Sequence, residues 1–222
     1  MKIRLHLKIF LFIAIFIVTG QIEIYGILMF FALLHEIGHM VTGILLGFKP
    51  NNLEIMPVGL SIGFEGNVDN YNKKIGKTSI LTLKKMIIAL NGPITNLIFV
   101  VIFSIFSIKI FEIQRETIIY ANILIGLFNL LPIYPLDGGR ILKYILKILY
   151  GNEKTNNYIM NISYLTVVLL TAISSITILI YKNLAILIIL FYLWYIVLME
   201  RKKYENKKKL YERIRNLQIE HW

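Results

Sequence analysis

Cysteine is absent from the 222 residues, which excludes a disulfide framework and any thiolate metal or redox site. Acidic residues are scarce, 13 against 24 lysines and arginines, and histidine occurs only four times. Any metal site must therefore draw on a very small set of imidazoles and carboxylates. Also lacking is a small-residue cleavage site after the basic, apolar start MKIRLHLKIF. The chain runs on through VTGQIEIYG, so residues 5–20 read as a retained first membrane helix rather than a leader. No repeat of 20–50 residues is visible, and no Gly/Ser- or Pro-rich linker marks a seam between domains. Residues 1–199 therefore read as one membrane domain. Residues 200–222 read as a basic cytoplasmic tail, helical near the membrane and too short for a folded domain of its own.

What the chain has in abundance is hydrocarbon. Hydrophobic residues make up 57% of it, against roughly 45–50% in a soluble domain, and the mean hydropathy is +0.68. Runs such as LKIFLFIAIFIVTG (7–20) and LAILIILFYLWYIVLM (184–199) are almost free of charge. Six stretches, at about 5–20, 24–46, 86–108, 118–134, 159–181 and 184–199, have the length and texture of membrane spans. The predicted fold class is an all-α polytopic membrane protein of six transmembrane helices. A small membrane-associated β-hairpin is expected between the second and third, because PNNLEIMPVGLSIGFEGNVDN is rich in β-branched and aromatic residues and punctuated by Gly59, Gly63 and Gly66.

The formal charge of +11 does not point to nucleic acid once the positions are considered. All basic residues except Lys109, Arg115 and Lys182 fall in alternate connections or the two ends. That is the positive-inside pattern, with both termini cytoplasmic. The tail adds a surface suited to anionic lipid.

Two spans carry breaking residues. ALNGPITNLIF places Gly92 and Pro93 inside the third, and GLFNLLPIYPLDGGR closes the fourth with Pro132, Pro135, Asp137, Gly138 and Gly139. Proline removes a backbone donor and kinks or ends a helix, which a membrane tolerates where neighbours or a wet cavity satisfy the freed groups.

The costliest residues lie in FALLHEIGHMVTG (31–43), where His35, Glu36 and His39 interrupt an apolar run. Ionisable groups in hydrocarbon cost several kcal/mol each and need a reason to be there. Histidines four apart project from one helical face, so both can hold a single tetrahedral zinc ion, with Glu36 beside them as general base. A catalytic zinc needs a third protein ligand. His6 and His221 lie near the ends of the chain, leaving Asp137 as the natural candidate, at the cytoplasmic end of its span like the histidine pair. Asp-Gly-Gly is equally an ordinary turn signal, and Asn129 could be a plain interhelical hydrogen-bonding residue.

HEIGH in a membrane helix, NGPITN in the next and NLLPIYPLDGGR after it, in that order, resemble the site-2 protease family of intramembrane zinc metalloproteases, with most likeness to its sporulation branch. The resemblance implies that His35, His39 and Asp137 bind one catalytic Zn²⁺ and that Glu36 is the base. It implies that Asn129, Asn96 and the strand glycines Gly59 and Gly63 contact substrate. It further implies a metalloendopeptidase that removes the pro-sequence of pro-sigma-K under inhibitory membrane partners, in the mother-cell membrane around the forespore. Two other readings remain: a general site-2 protease trimming an anti-sigma factor or signal-peptide remnant, and a non-proteolytic metal-binding membrane protein or transporter.

Overall fold

The computed structural model describes residues 2–5, 10, 13, 16, 17, 20, 22–56, 59–64, 75–106, 113–181 and 185–220. Most of the first expected span, 5–20, lies outside them. The chain divides into two compact units, Met1–Leu130 and Leu131–Trp222.

In the first unit, β1 (Lys2–Leu5) leads to α1 (Ile22–Leu45), then β2 (Pro50–Met56), β3 (Gly59–Phe64), α2 (Ile75–Ile105) and α3 (Arg115–Asn129). The hairpin expected after the second span is present: β2 and β3 pair antiparallel, with Leu53 opposite Ile62 and Met56 opposite Gly59. The third strand is an addition, since β1 pairs parallel to β2 with Lys2 opposite Asn52 and Leu5 opposite Ile55. Its sequence, KIRL, merges into the apolar run behind it and carries no turn signal of its own.

α1 ends where Gly47 takes a positive φ of 88°. Phe48 N–H donates to the Gly43 carbonyl and Gly47 N–H to that of Ile44, which is the double closure of a Schellman motif. Lys84 Nζ donates to the Leu46 carbonyl at 3.0 Å, occupying another acceptor at that helix end. The turn sends the chain into β2, and Gly43 lets the hairpin dock, because a Cβ there would overlap the Phe64 ring.

α2 does not break at Gly92–Pro93, contrary to the expectation from sequence; it runs unbroken from Ile75 to Ile105 with Pro93 inside it. An interior proline costs a helix about 3 kcal/mol or more, so the packing around this turn must offset it. Pro93 is buried, and so is Gly92. The core of the unit is Phe31, Phe103, Ile118 and Ile125, drawn from α1, α2 and α3.

In the second unit, α4 (Asp137–Tyr181) and α5 (Ala185–Glu220) pack together around Ile159, Val167, Leu193 and Val197. α4 is two helices joined at Gly151, whose φ of 75° and ψ of 179° no helical residue adopts. Trp194 Nε1 donates to Thr171 Oγ1 at 3.0 Å, tying α5 to α4. In the first turns of α4, Lys143 Nζ sits 4.4 Å from the centre of the Tyr134 ring. Burial there pushes its ammonium pKa down.

Among the described residues three helices are long and apolar enough to cross a membrane: Ile22–Leu45, Ile80–Ile105 and Lys154–Thr177. Their outward faces carry large apolar side chains such as Leu45, Leu97, Ile98 and Ile173, as lipid contact requires. α3, at 15 residues, rises only about 22 Å, short of a hydrocarbon core of about 30 Å.

Candidate metal centre

His35 and His39 lie one turn apart on α1 and are each 3% exposed, on the face that meets α2. The close approach of the two helices is made possible by Gly38, whose missing side chain leaves room for Thr95 Oγ1. Asn91 Nδ2 donates to the Gly38 carbonyl at 3.2 Å and to Thr42 Oγ1, fastening the same level of α2 to α1.

The hydrogen bonds fix which ring nitrogen of each histidine carries its proton. His39 Nδ1 lies 2.7 Å from the Ile88 carbonyl oxygen. A carbonyl only accepts, so this nitrogen donates, and in the neutral ring Nε2 is the acceptor. His35 Nδ1 lies 2.5 Å from Asn96 Oδ1, with the same result. The two Nε2 atoms are 3.1 Å apart. With Nδ1 donating in each ring, a neutral pair turns both Nε2 atoms toward one point as acceptors, the arrangement in which two imidazoles can share a cation. Gly92 of α2 faces the same point: a Cβ on it would overlap Nε2 of both rings. The space the glycine leaves is space at the two metal-facing nitrogens.

Asp137 opens α4 and is 4% exposed. Gly139 allows this helix to start hard against its own entry loop, since a Cβ there would overlap the backbone of Ile133 and Tyr134. Tyr134 N–H in turn donates to Ser163 Oγ at 2.9 Å, and that hydroxyl donates to the Ile159 carbonyl. Arg140, one turn on, reaches Asp137 Oδ1 at 3.8 Å. Its backbone N–H donates to the Leu136 carbonyl.

His35, His39 and Asp137, the three residues expected at a metal, are all buried. Two imidazole nitrogens and one carboxylate oxygen suit zinc in a tetrahedral site with one position left open. The donor set and the Gly92 cradle fit the ion.

Glu36 is half-buried on α1, one residue after His35. Asn129, at the last position of α3, is half-buried and donates through Nδ2 to the Ile125 carbonyl at 3.0 Å. Gly59 and Gly63 both lie in β3, which is an edge strand of the sheet. Asn96 was expected at the substrate. Here it is 1% exposed, with its oxygen on His35 and its nitrogen donating to Asn122 Oδ1 at 2.9 Å. Asn122, fully buried on α3, was not singled out from the sequence.

The pattern of peptidase family M50 matches residues 114–172, from α3 through the loop into α4. A zinc metalloprotease of Methanocaldococcus jannaschii is 30% identical over 173 residues, covering 72% of this chain and 47% of that protein. Stage IV sporulation protein FB of Bacillus subtilis is 23% identical over 145 residues, 64% of this chain and 46% of that protein. The chain thus spans about half the length of the curated relatives it matches. The solved site-2 protease from Methanocaldococcus jannaschii superposes with a TM-score of 0.65 at 22% identity, over 89% of each chain. The fold is that of a site-2 protease.

Proposed function

We propose that this M50 chain is an intramembrane zinc metalloprotease that hydrolyses a peptide bond in a membrane-associated substrate. The observation that carries the reading is the pair of buried imidazoles on α1, each with Nδ1 on an oxygen so that both Nε2 atoms face one point 3.1 Å apart, where Gly92 leaves room. His35, His39 and Asp137 hold the zinc. When bound, the ion supplies Lewis acidity and a water that ionises near neutral pH.

Glu36 takes the proton of the attacking water and returns it to the leaving amine nitrogen. Asn129 is placed on a helix end with a second amide N–H to offer the developing oxyanion. The substrate is presented as an extended strand, because helical carbonyls are bonded and shielded. β3 is an edge strand, and strand addition along Gly59–Phe64 would hold an unwound peptide through its backbone.

The layout that goes with this reading has six membrane spans and both termini on the cytoplasmic side, supported by the charge asymmetry of the connections. The substrate is a pro-sigma factor of the pro-sigma-K kind, held in check by inhibitory membrane partners in the mother-cell membrane around the forespore; the similarity to a sporulation protein supports this choice. The second reading is a general site-2 protease acting on an anti-sigma factor or signal-peptide remnant; the archaeal relative, a zinc metalloprotease by name, is compatible with either substrate.

The test is cleavage in membranes. Glu36→Gln should keep zinc, measured by metal analysis, and lose cleavage by several orders of magnitude. Normal cleavage by that variant would overturn the mechanism. Processing of pro-sigma-K but not of a membrane-anchored anti-sigma factor separates the two substrate readings.

A further inference from the structure

Outside the three ligands the structure contains a second buried polar line, and it has a direction. It begins at the Ile118 carbonyl, which can only accept. Asn122 Nδ2 donates to it at 2.9 Å, which forces Asn122 Oδ1 to face the other way. Oδ1 then accepts from Asn96 Nδ2 at 2.9 Å. Asn96 Oδ1 is therefore the end that faces His35, where it accepts from Nδ1–H at 2.5 Å. Asn122 is 0% exposed and Asn96 1%, so neither amide has water with which to exchange these partners. Reversing any amide in the line would set two acceptors or two donors against each other, at a cost of roughly 1–3 kcal/mol per unsatisfied buried group.

We propose that Asn122 is a positioning residue for the metal site: it transmits the polarity of the Ile118 carbonyl through Asn96 and so keeps the acceptor nitrogen of His35 at Nε2. This rests on the metalloprotease reading for its consequence. Ligating histidines depend on such a partner for tautomer, ring orientation and basicity. His39 obtains the same service directly from the Ile88 carbonyl. His35 obtains it through two side chains, from a helix that carries neither histidine.

Three variants test the line. Asn122→Leu removes both hydrogen bonds while keeping the branched heavy-atom skeleton, at the cost of two bulkier methyl groups. Asn122→Asp, protonated in so dry a site, restores them: its O–H donates to the Ile118 carbonyl and its other oxygen accepts from Asn96. Asn96→Leu cuts the line one link closer to the metal. Full-length protein in detergent is titrated with zinc against a competing chelator, and the cobalt-substituted protein gives a visible spectrum that reports ligand geometry. Leucine at 122 should weaken zinc about 10–100-fold and alter the cobalt bands, Asn96→Leu should do at least as much, and Asn122→Asp should recover most of the loss.

Zinc affinity and cobalt spectrum unchanged in Asn122→Leu would overturn the proposal, as would equal losses in the leucine and aspartate variants, which would mark a packing role. A measurement on unaltered protein guards against variants that fail to fold. Nitrogen NMR of histidine-labelled, chelator-treated wild type should show His35 protonated at Nδ1, and protonation at Nε2 would overturn the line by itself. Wild type that binds no zinc while His35 is protonated at Nδ1 would overturn the metal reading, and the proposed role with it.

Discussion

The two kinds of ligand in this centre are held by opposite means. His35 and His39 sit in mid-helix, where backbone geometry is fixed in advance; what they need from their surroundings is a partner for the second nitrogen, and α2 and α3 supply it. Asp137 sits at a helix start, where an acidic side chain suits the exposed N–H groups and the helix dipole. What it needs is a backbone placed correctly, and Gly139 and the anchored Tyr134 supply that. An imidazole is oriented by hydrogen bonds, whereas this carboxylate is positioned by a turn. Substitutions should therefore damage the two halves of the site differently.

The largest effect should come from Gly92→Ala, which puts a methyl group on both Nε2 atoms. Zinc content after purification should fall by more than the 10–100-fold expected for losing an outer partner, with helicity by circular dichroism retained. Gly139→Ala should come next. Its new Cβ meets backbone rather than a movable side chain, so thermal unfolding should show a loss of about 1–3 kcal/mol as the loop shifts, and zinc affinity should fall with it. Gly43→Ala separates the sheet from the metal. The Phe64 ring must move, which costs stability in the same range, but zinc binding should not change. Arg140→Met is the mildest, because an ion pair at 3.8 Å with a guanidinium 35% exposed is worth at most about 1 kcal/mol. Chelator competition should register a change below about threefold, and a larger one would mean that Arg140 does more for Asp137 than the turn does.

Much of this was legible in the sequence because its signals are local. The i, i+4 histidines with an intervening glutamate need no tertiary information, and the glycine-punctuated hairpin announces itself. Three things were not legible, each for a physical reason. β1 is hidden because a strand that continues into an apolar run looks like the start of a span. Pro93 reads as a break, yet the helix persists, since a proline beside a required glycine is governed by packing rather than by propensity. Asn122 lies 26 residues from the amide it orients, on an element with no motif around it, and a lone asparagine in an apolar helix carries no sign of which way its amide points. Asn96 was singled out from the sequence for a substrate; what its local sequence could not show is its burial between His35 and Asn122.

One feature of the first unit bears on how a peptide gains access. α1 and α2 are stitched along their length: Lys84 to the Leu46 carbonyl, His39 to the Ile88 carbonyl, Asn91 to Gly38 and Thr42, Thr95 nested at Gly38. Prying them apart would sever every one of these links and strip both rings of their orientation at once. The seam between these helices is thus a wall. On the proposed reading a doorway for the scissile segment opens on another flank, and crosslinking α1 to α2 should leave cleavage intact.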